Sequence, residues 1–106
     1  NQSPVQKMSF RINWTIESEI TFNQNLEYLS KEWNSAVLNQ FLDRVEEVLE
    51  RVKSNPKLYP LYNTKANVYK CVIHERIVLY YKVVDDEVVD LLTFWNTYQD
   101  PNKLKV

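Results

Sequence analysis

The chain carries a single histidine, His74, and imidazole is the side chain most often used to move a proton in catalysis. It closes the run Val68-Tyr69-Lys70-Cys71-Val72-Ile73-His74. Read as a strand, this run sets Val68, Lys70, Val72 and His74 on one side and Tyr69, Cys71 and Ile73 on the other. His74 then reads as a general acid or base, or more simply as a polar residue at a strand end beside a tight turn. The simpler reading is preferred. A metal site is not expected, because Cys71 and His74 fall on opposite faces and no second His or Cys completes a ligand set. Cys71 reads as small core filler.

Seven tyrosines, Tyr28, Tyr59, Tyr62, Tyr69, Tyr80, Tyr81 and Tyr98, could form a stacking platform for single-stranded RNA. Tyrosine is also a common strand residue, and packing accounts for these positions more economically. No serine or cysteine has a histidine and a carboxylate at a recognisable nucleophile spacing.

Composition narrows the classes further. The 106 residues suit one domain, and 44% hydrophobic with 25% charged residues is the balance of a folded globule. Thirteen Lys plus Arg against fourteen Asp plus Glu give a net charge of −1, without the basic surplus of a chain built to wrap phosphates. Glycine is absent, where average usage predicts about seven. Gly-rich phosphate cradles and the strained nucleophile elbow are therefore excluded, and no nucleotide cofactor is expected. Turns that need positive φ must use Asn or Asp, for which Asn63, Asn67, Asp85, Asp86 and Asn96 are placed. One cysteine allows no internal disulfide, and the longest apolar run, Ile77 to Tyr81, is far too short for a membrane span. A cytoplasmic globule is the expectation. Residues 1–7 are polar and patternless, so Met8 is the expected natural start, 1–7 an extension or cloning scar, and 8–106 a single domain.

The elements that position these residues follow from periodicity. Ser9 to Thr15 alternates, with Phe10, Ile12 and Trp14 on one face of a strand. Thr15 or Ser18 caps a helix whose apolar stripe is Phe22, Leu26, Leu29 and Trp33. After Asn34-Ser35, a second helix runs from about Ala36 to Lys53, with Val37, Phe41, Val45, Val48 and Val52 in line and Glu47 and Arg51 paired outside. Asn55-Pro56 ends it, and a loop continues to Asn67. Strands follow over 68–74, 77–84 and 88–95, with connections short enough only for hairpins. The predicted fold is α+β in the order β-α-α-β-β-β, two helices on one face of a mostly antiparallel four-stranded sheet. The first strand returns beside a hairpin strand. The face left open should present Lys70, His74, Tyr80 and Lys82.

From Phe10 to Leu104 the chain resembles the RelE/ParE superfamily, toxins of bacterial type II toxin-antitoxin modules, also known as plasmid stabilisation proteins. The likeness rests on Ile12-Asn13-Trp14-Thr15, the Trp33-Asn34 joint, Asn55-Pro56-Lys57-Leu58-Tyr59-Pro60 and the ending Leu92-Thr93-Phe94-Trp95-Asn96-Thr97-Tyr98-Gln99-Asp100-Pro101-Asn102-Lys103-Leu104. The resemblance implies a cognate antitoxin as partner, DNA gyrase or the ribosome as target, and leaves a homodimer open. In relatives that cut messenger RNA on the ribosome, cations offset the negative charge built by in-line attack of a 2′-hydroxyl, and a Tyr or His aids proton transfer. Here Lys70, with Arg76 or Lys82, would supply the charge, and His74 or Tyr98 the proton. Many relatives have an arginine pair where this chain has Tyr69-Lys70, and Arg-Gln-Asp-Pro where it has Tyr98-Gln99-Asp100-Pro101. These departures favour a ParE-like toxin that binds a protein target without chemistry. The alternatives are a ribosome-dependent endoribonuclease with a substituted site, and a disarmed toxin that keeps only antitoxin binding. Restoring Arg at Tyr69 and Tyr98 is the mutation pair the resemblance suggests.

Overall fold

The computed structural model describes residues 9–106; the extension at 1–7 and the start at Met8 lie outside the described residues. Strand β1 (Arg11–Trp14) leads into helix α1 (Ile16–Glu32) and then α2 (Ser35–Ser54). Four more strands follow: β2 (Leu61–Asn63), β3 (Val68–His74), β4 (Ile77–Val83) and β5 (Val88–Asn96). A 3-10 turn, Pro101–Lys103, precedes the tail. The sheet order is β1-β5-β4-β3-β2, parallel only between β1 and β5. The α+β class and the return of β1 beside a hairpin strand stand as expected.

The strand count does not. Among the described residues the sheet has five strands, because Leu61–Asn63, expected as loop, pairs with Val68 and Tyr69 of β3. Three residues with two exposed side chains carry no readable alternation, and the Lys70 N–H bond to Pro60 O at 3.0 Å helps hold them.

Of the two expected caps, Thr15 is the N-cap of α1: its hydroxyl accepts the Ser18 N–H at 3.1 Å. The same hydroxyl donates to Leu91 O at 2.7 Å, which fixes the helix start against β5. The buried face of α1 is rotated from the expected stripe. Ser18, Thr21, Asn25 and Leu29 are buried, whereas Phe22 and Leu26 are half-buried and Trp33 is the exposed C-cap. The polar residues are inside because β5 outruns β1, and backbone groups beyond Leu91 need partners.

Helix α2 follows its pattern closely, with Asn34 as cap and Phe41, Val45, Val48 and Val52 buried. An aromatic chain links the layers: Trp14 meets Phe22 at 5.2 Å and Phe94 at 5.5 Å, and Phe22 meets Phe41 at 5.8 Å between ring centroids. Of these rings Phe41 and Phe94 are fully buried, each contributing about 1.5–3 kcal/mol, while Trp14 and Phe22 are half-buried. Tyr81 lies in this core, and its hydroxyl donates to Pro56 O at 2.6 Å.

The glycine-free turns use two devices. Only Asn67, at φ 60°, takes positive φ among the described residues, and its amide donates to Val83 O at 3.0 Å. Asn63, Asp85 and Asn96 instead accept backbone N–H bonds from Ala66, from Glu87 and Val88, and from Tyr98, which closes their turns at ordinary φ.

Candidate functional site

Cross-strand register defines the open face. Lys70 stands opposite Tyr80, and Tyr80 opposite Thr93; Val72 stands opposite Val78, and Lys82 opposite both Val68 and Asp90. Lys70, Lys82 and Val72 are exposed as alternation requires, while Tyr69, Cys71 and Ile73 are buried on the helix side. Tyr80, expected to be exposed, is only 7% so. The added strand explains this, since Tyr62 of β2 lies edge-on to Tyr80 with centroids 4.9 Å apart. Burial, reinforced by the neighbouring Tyr62 hydroxyl, pushes the Tyr80 phenol above its usual range. Lys70 Nζ sits 5.7 Å from the Tyr62 ring centroid.

His74 does not share this face. The register breaks between Val72 and His74, so that His74 pairs with Ile77, a residue of the core. One extra residue in a strand reverses the side-chain parity beyond it, which simple alternation could not anticipate. The imidazole lies edge-to-face on Trp33 at 5.5 Å, where α1 hands over to α2. Its Nδ1 is buried without a hydrogen-bond partner among the described residues.

Tyr98 is 65% exposed beyond the end of β5. The Thr97 N–H bond to Arg76 O at 2.7 Å docks this segment on the β3–β4 hairpin, and the Arg76 guanidinium covers the Tyr98 ring at 4.6 Å. Tyr28 of α1 touches the same ring at 6.3 Å between centroids. Gln24, Asn25, Asn96 and Gln99 complete a polar hollow of about 260 Å³ beside it. The structure thus joins Arg76 to Tyr98. Lys70 stands four positions before His74, about 13 Å along the strand at the usual rise. The three candidates Lys70, His74 and Tyr98 are spread over two faces and one sheet end.

Cys71 is buried beneath Arg44 of α2, whose guanidinium lies 3.9 Å from Sγ and donates to Val72 O at 3.1 Å. Burial pushes the thiol above its ordinary value against the opposing pull of Arg44. Among the described residues no group of three His, Cys, Asp or Glu could hold a metal ion, and no helix is long and apolar enough to cross a membrane.

A second hollow, invisible to pattern reading, lies at β5. Leu92, Thr93 and Trp95 form its floor, Thr15 and Glu17 one wall, and the tail at 103–106 the other, enclosing about 480 Å³. Leu92 opposes no residue of β4, because the β4–β5 register shifts between Tyr80 and Tyr81. A five-residue apolar and hydroxyl stretch gives no sequence sign of such a bulge.

The fold has solved counterparts. The chain superposes on a structure described as the chromosomal ParDE toxin-antitoxin system of P. aeruginosa with a TM-score of 0.67 at 8% identity, covering 85% of this chain and 97% of that one. The YoeB dimer of Staphylococcus aureus matches with a TM-score of 0.57 at 15% identity, over 82% and 95% of the two chains. A YoeB/ParE toxin from Agrobacterium tumefaciens matches at 0.57 and 12% identity, over 82% and 98%. These likenesses establish the fold. No curated protein sequence matches the chain. The sequence model of the ParE toxin of the type II toxin-antitoxin system, parDE, matches residues 21–101, from α1 through β5 to the start of the 3-10 turn. The expectation from the resemblance is met: the chain belongs to the ParE toxin family, within the RelE/ParE superfamily of type II toxin-antitoxin modules.

Proposed function

We propose that this ParE-family chain acts by binding a protein target, DNA gyrase being the first to test, and that a cognate antitoxin neutralises it. The observation that carries this reading is the dispersal of the candidate chemistry. Proton transfer and charge neutralisation in RNA cleavage need a cation and an acid or base within about 3 Å of one reacting phosphate. His74 is turned onto Trp33, and Lys70 lies far along β3 from the hairpin end that holds Tyr98. The family match to ParE favours the same reading. Structures described as YoeB-YefM complexes from Staphylococcus aureus share the fold, which supports an antitoxin partner for this chain.

One observation favours a second reading, a ribosome-dependent endoribonuclease. Arg76 and Tyr98 are adjacent and exposed, and together supply a cation and a phenol. The experiment that separates them is pulse labelling in a bacterial host after induction of this chain alone. Thymidine incorporation falling first supports the gyrase reading, and inhibition of supercoiling by the purified chain then checks it. Prompt loss of methionine incorporation points to the ribosome. No effect on either, with folded protein present, leaves a disarmed toxin that retains antitoxin binding.

A further inference from the structure

The hollow beside β5 holds a group that the fold leaves unused. Thr93 is 4% exposed, lines the hollow, and its hydroxyl has no hydrogen-bond partner among the described residues. Native structures keep few such groups, because a buried hydroxyl without a partner has lost its water and gained nothing. Around it the apolar lining comes from Leu92, Trp95 and Leu104, and Glu17 is the carboxylate on the wall facing the two lysines of the tail. On the rim Lys103 and Lys105 are exposed and form no ion pair among the described residues. The ion pairs found among the described residues gather instead on α2, through Glu47 and Glu50.

We propose that this hollow is the seat for an extended acidic segment of the antitoxin, with an apolar anchor over Trp95, a backbone carbonyl accepting the Thr93 hydroxyl, and carboxylates on Lys103 and Lys105. The inference rests on the antitoxin reading above and adds a location to it. A nucleic acid is the poorer fit, since phosphates match the two lysines but leave the apolar floor and the hydroxyl unserved. The hollow has the make-up of a recognition pocket, mostly apolar with a few convergent polar groups.

The test uses the product of the reading frame adjacent to this gene, purified and titrated into this chain. Thr93→Val keeps the shape and removes only the hydroxyl. Its binding should fall about tenfold, the worth of one buried hydrogen bond. Its melting temperature without partner should not fall, and should rise by about 4 °C if the orphaned hydroxyl costs a typical amount. Lys103→Glu with Lys105→Glu should weaken binding by at least about tenfold and flatten its salt dependence. Binding of the wild-type chain with both variants within twofold of it overturns the location and leaves the antitoxin reading intact. A lowered melting point for Thr93→Val overturns the claim that its hydroxyl is unused. If the wild-type chain does not bind the product, the antitoxin reading fails and this inference with it. If a short single-stranded RNA binds the wild-type chain and not the double lysine variant, the hollow is a nucleic-acid site and the proposal is wrong.

Discussion

Asn25 of α1 donates a hydrogen bond from Nδ2 to the backbone oxygen of Phe94 at 2.8 Å, and one turn earlier Thr21 Oγ1 accepts the Phe94 N–H at 2.9 Å. Two helix side chains thereby satisfy one residue of β5 as a neighbouring strand would. Strand β1 ends opposite Leu91, so without them the sheet would present a raw edge to the core. The arrangement holds β5 straight up to Asn96, whose side-chain amide approaches Asn25 Oδ1 at 3.4 Å, and so delivers Tyr98 to the hairpin end.

Asn25→Leu should therefore destabilise the chain although it adds apolar volume. The Phe94 carbonyl would stay buried without a donor, at a cost of about 1–3 kcal/mol. A thermal melt should show a fall of about 10 °C for a domain of this size. A melting point within 2 °C of the wild type would mean that the bond contributes little.

Tyr81 predicts an alkaline limit to stability. Its phenol is fully buried and desolvation pushes its pKa far above the ordinary 10.0. The folded state thus holds the proton to higher pH than the unfolded state does. Its contribution is complete below pH 10 and is lost progressively above it, because only the unfolded chain ionises there. The Cys71 thiol is raised from 9.0 by burial and acts in the same direction, starting about one unit lower. Urea midpoints should hold steady from pH 7 to about 9 and decline beyond. Tyr81→Phe should make the decline shallower, while costing about 1 kcal/mol at pH 7 through the lost bond to Pro56.

What was legible in the sequence tracks how regular each element is. The line Phe41, Val45, Val48 and Val52 has an unbroken helical period, and α2 formed where it was read. The parity of β3 could be followed from Tyr69 to Val72 and no further, because the bulge before His74 leaves no residue signature in a chain without glycine. The polar inner face of α1 departs from the apolar stripe for a different reason. Thr21 and Asn25 are buried by a long-range need, the unpaired edge of β5, that no local period encodes. The same limit hid the Thr93 hollow, which depends on a register shift and on the tail folding back.

Tyr98→Phe separates the two functional readings. The ring keeps its contact with Arg76 and Tyr28, and the exposed hydroxyl makes no hydrogen bond among the described residues, so stability should stay within about 0.5 kcal/mol. Under the binding reading, growth arrest and gyrase inhibition persist. If arrest disappears while the melting point is unchanged, the hydroxyl serves proton transfer and the ribonuclease reading takes over.

Restoring the arginines of the wider superfamily has a structural constraint that the aligned letters conceal. Tyr69 is 6% exposed and stacks on Tyr81, with centroids 5.6 Å apart and planes 13° from parallel. An arginine there would put an unpaired guanidinium into the core, at a cost of several kcal/mol. Tyr69→Arg should therefore yield little folded protein, and any loss of toxicity from it would report misfolding. Lys70 is the member of the pair that faces outward. The informative variant is Lys70→Arg combined with Tyr98→Arg, both at exposed positions, with folding checked by circular dichroism. Bidentate guanidinium contacts to a phosphate are stronger and better oriented than those of an ammonium. If missing phosphate contacts had silenced an RNA-cleaving ancestor, this folded double variant should cut ribosome-bound messenger RNA where the wild-type chain does not. If it folds and remains without cleavage, missing phosphate contacts at these two positions are not what withholds the chemistry.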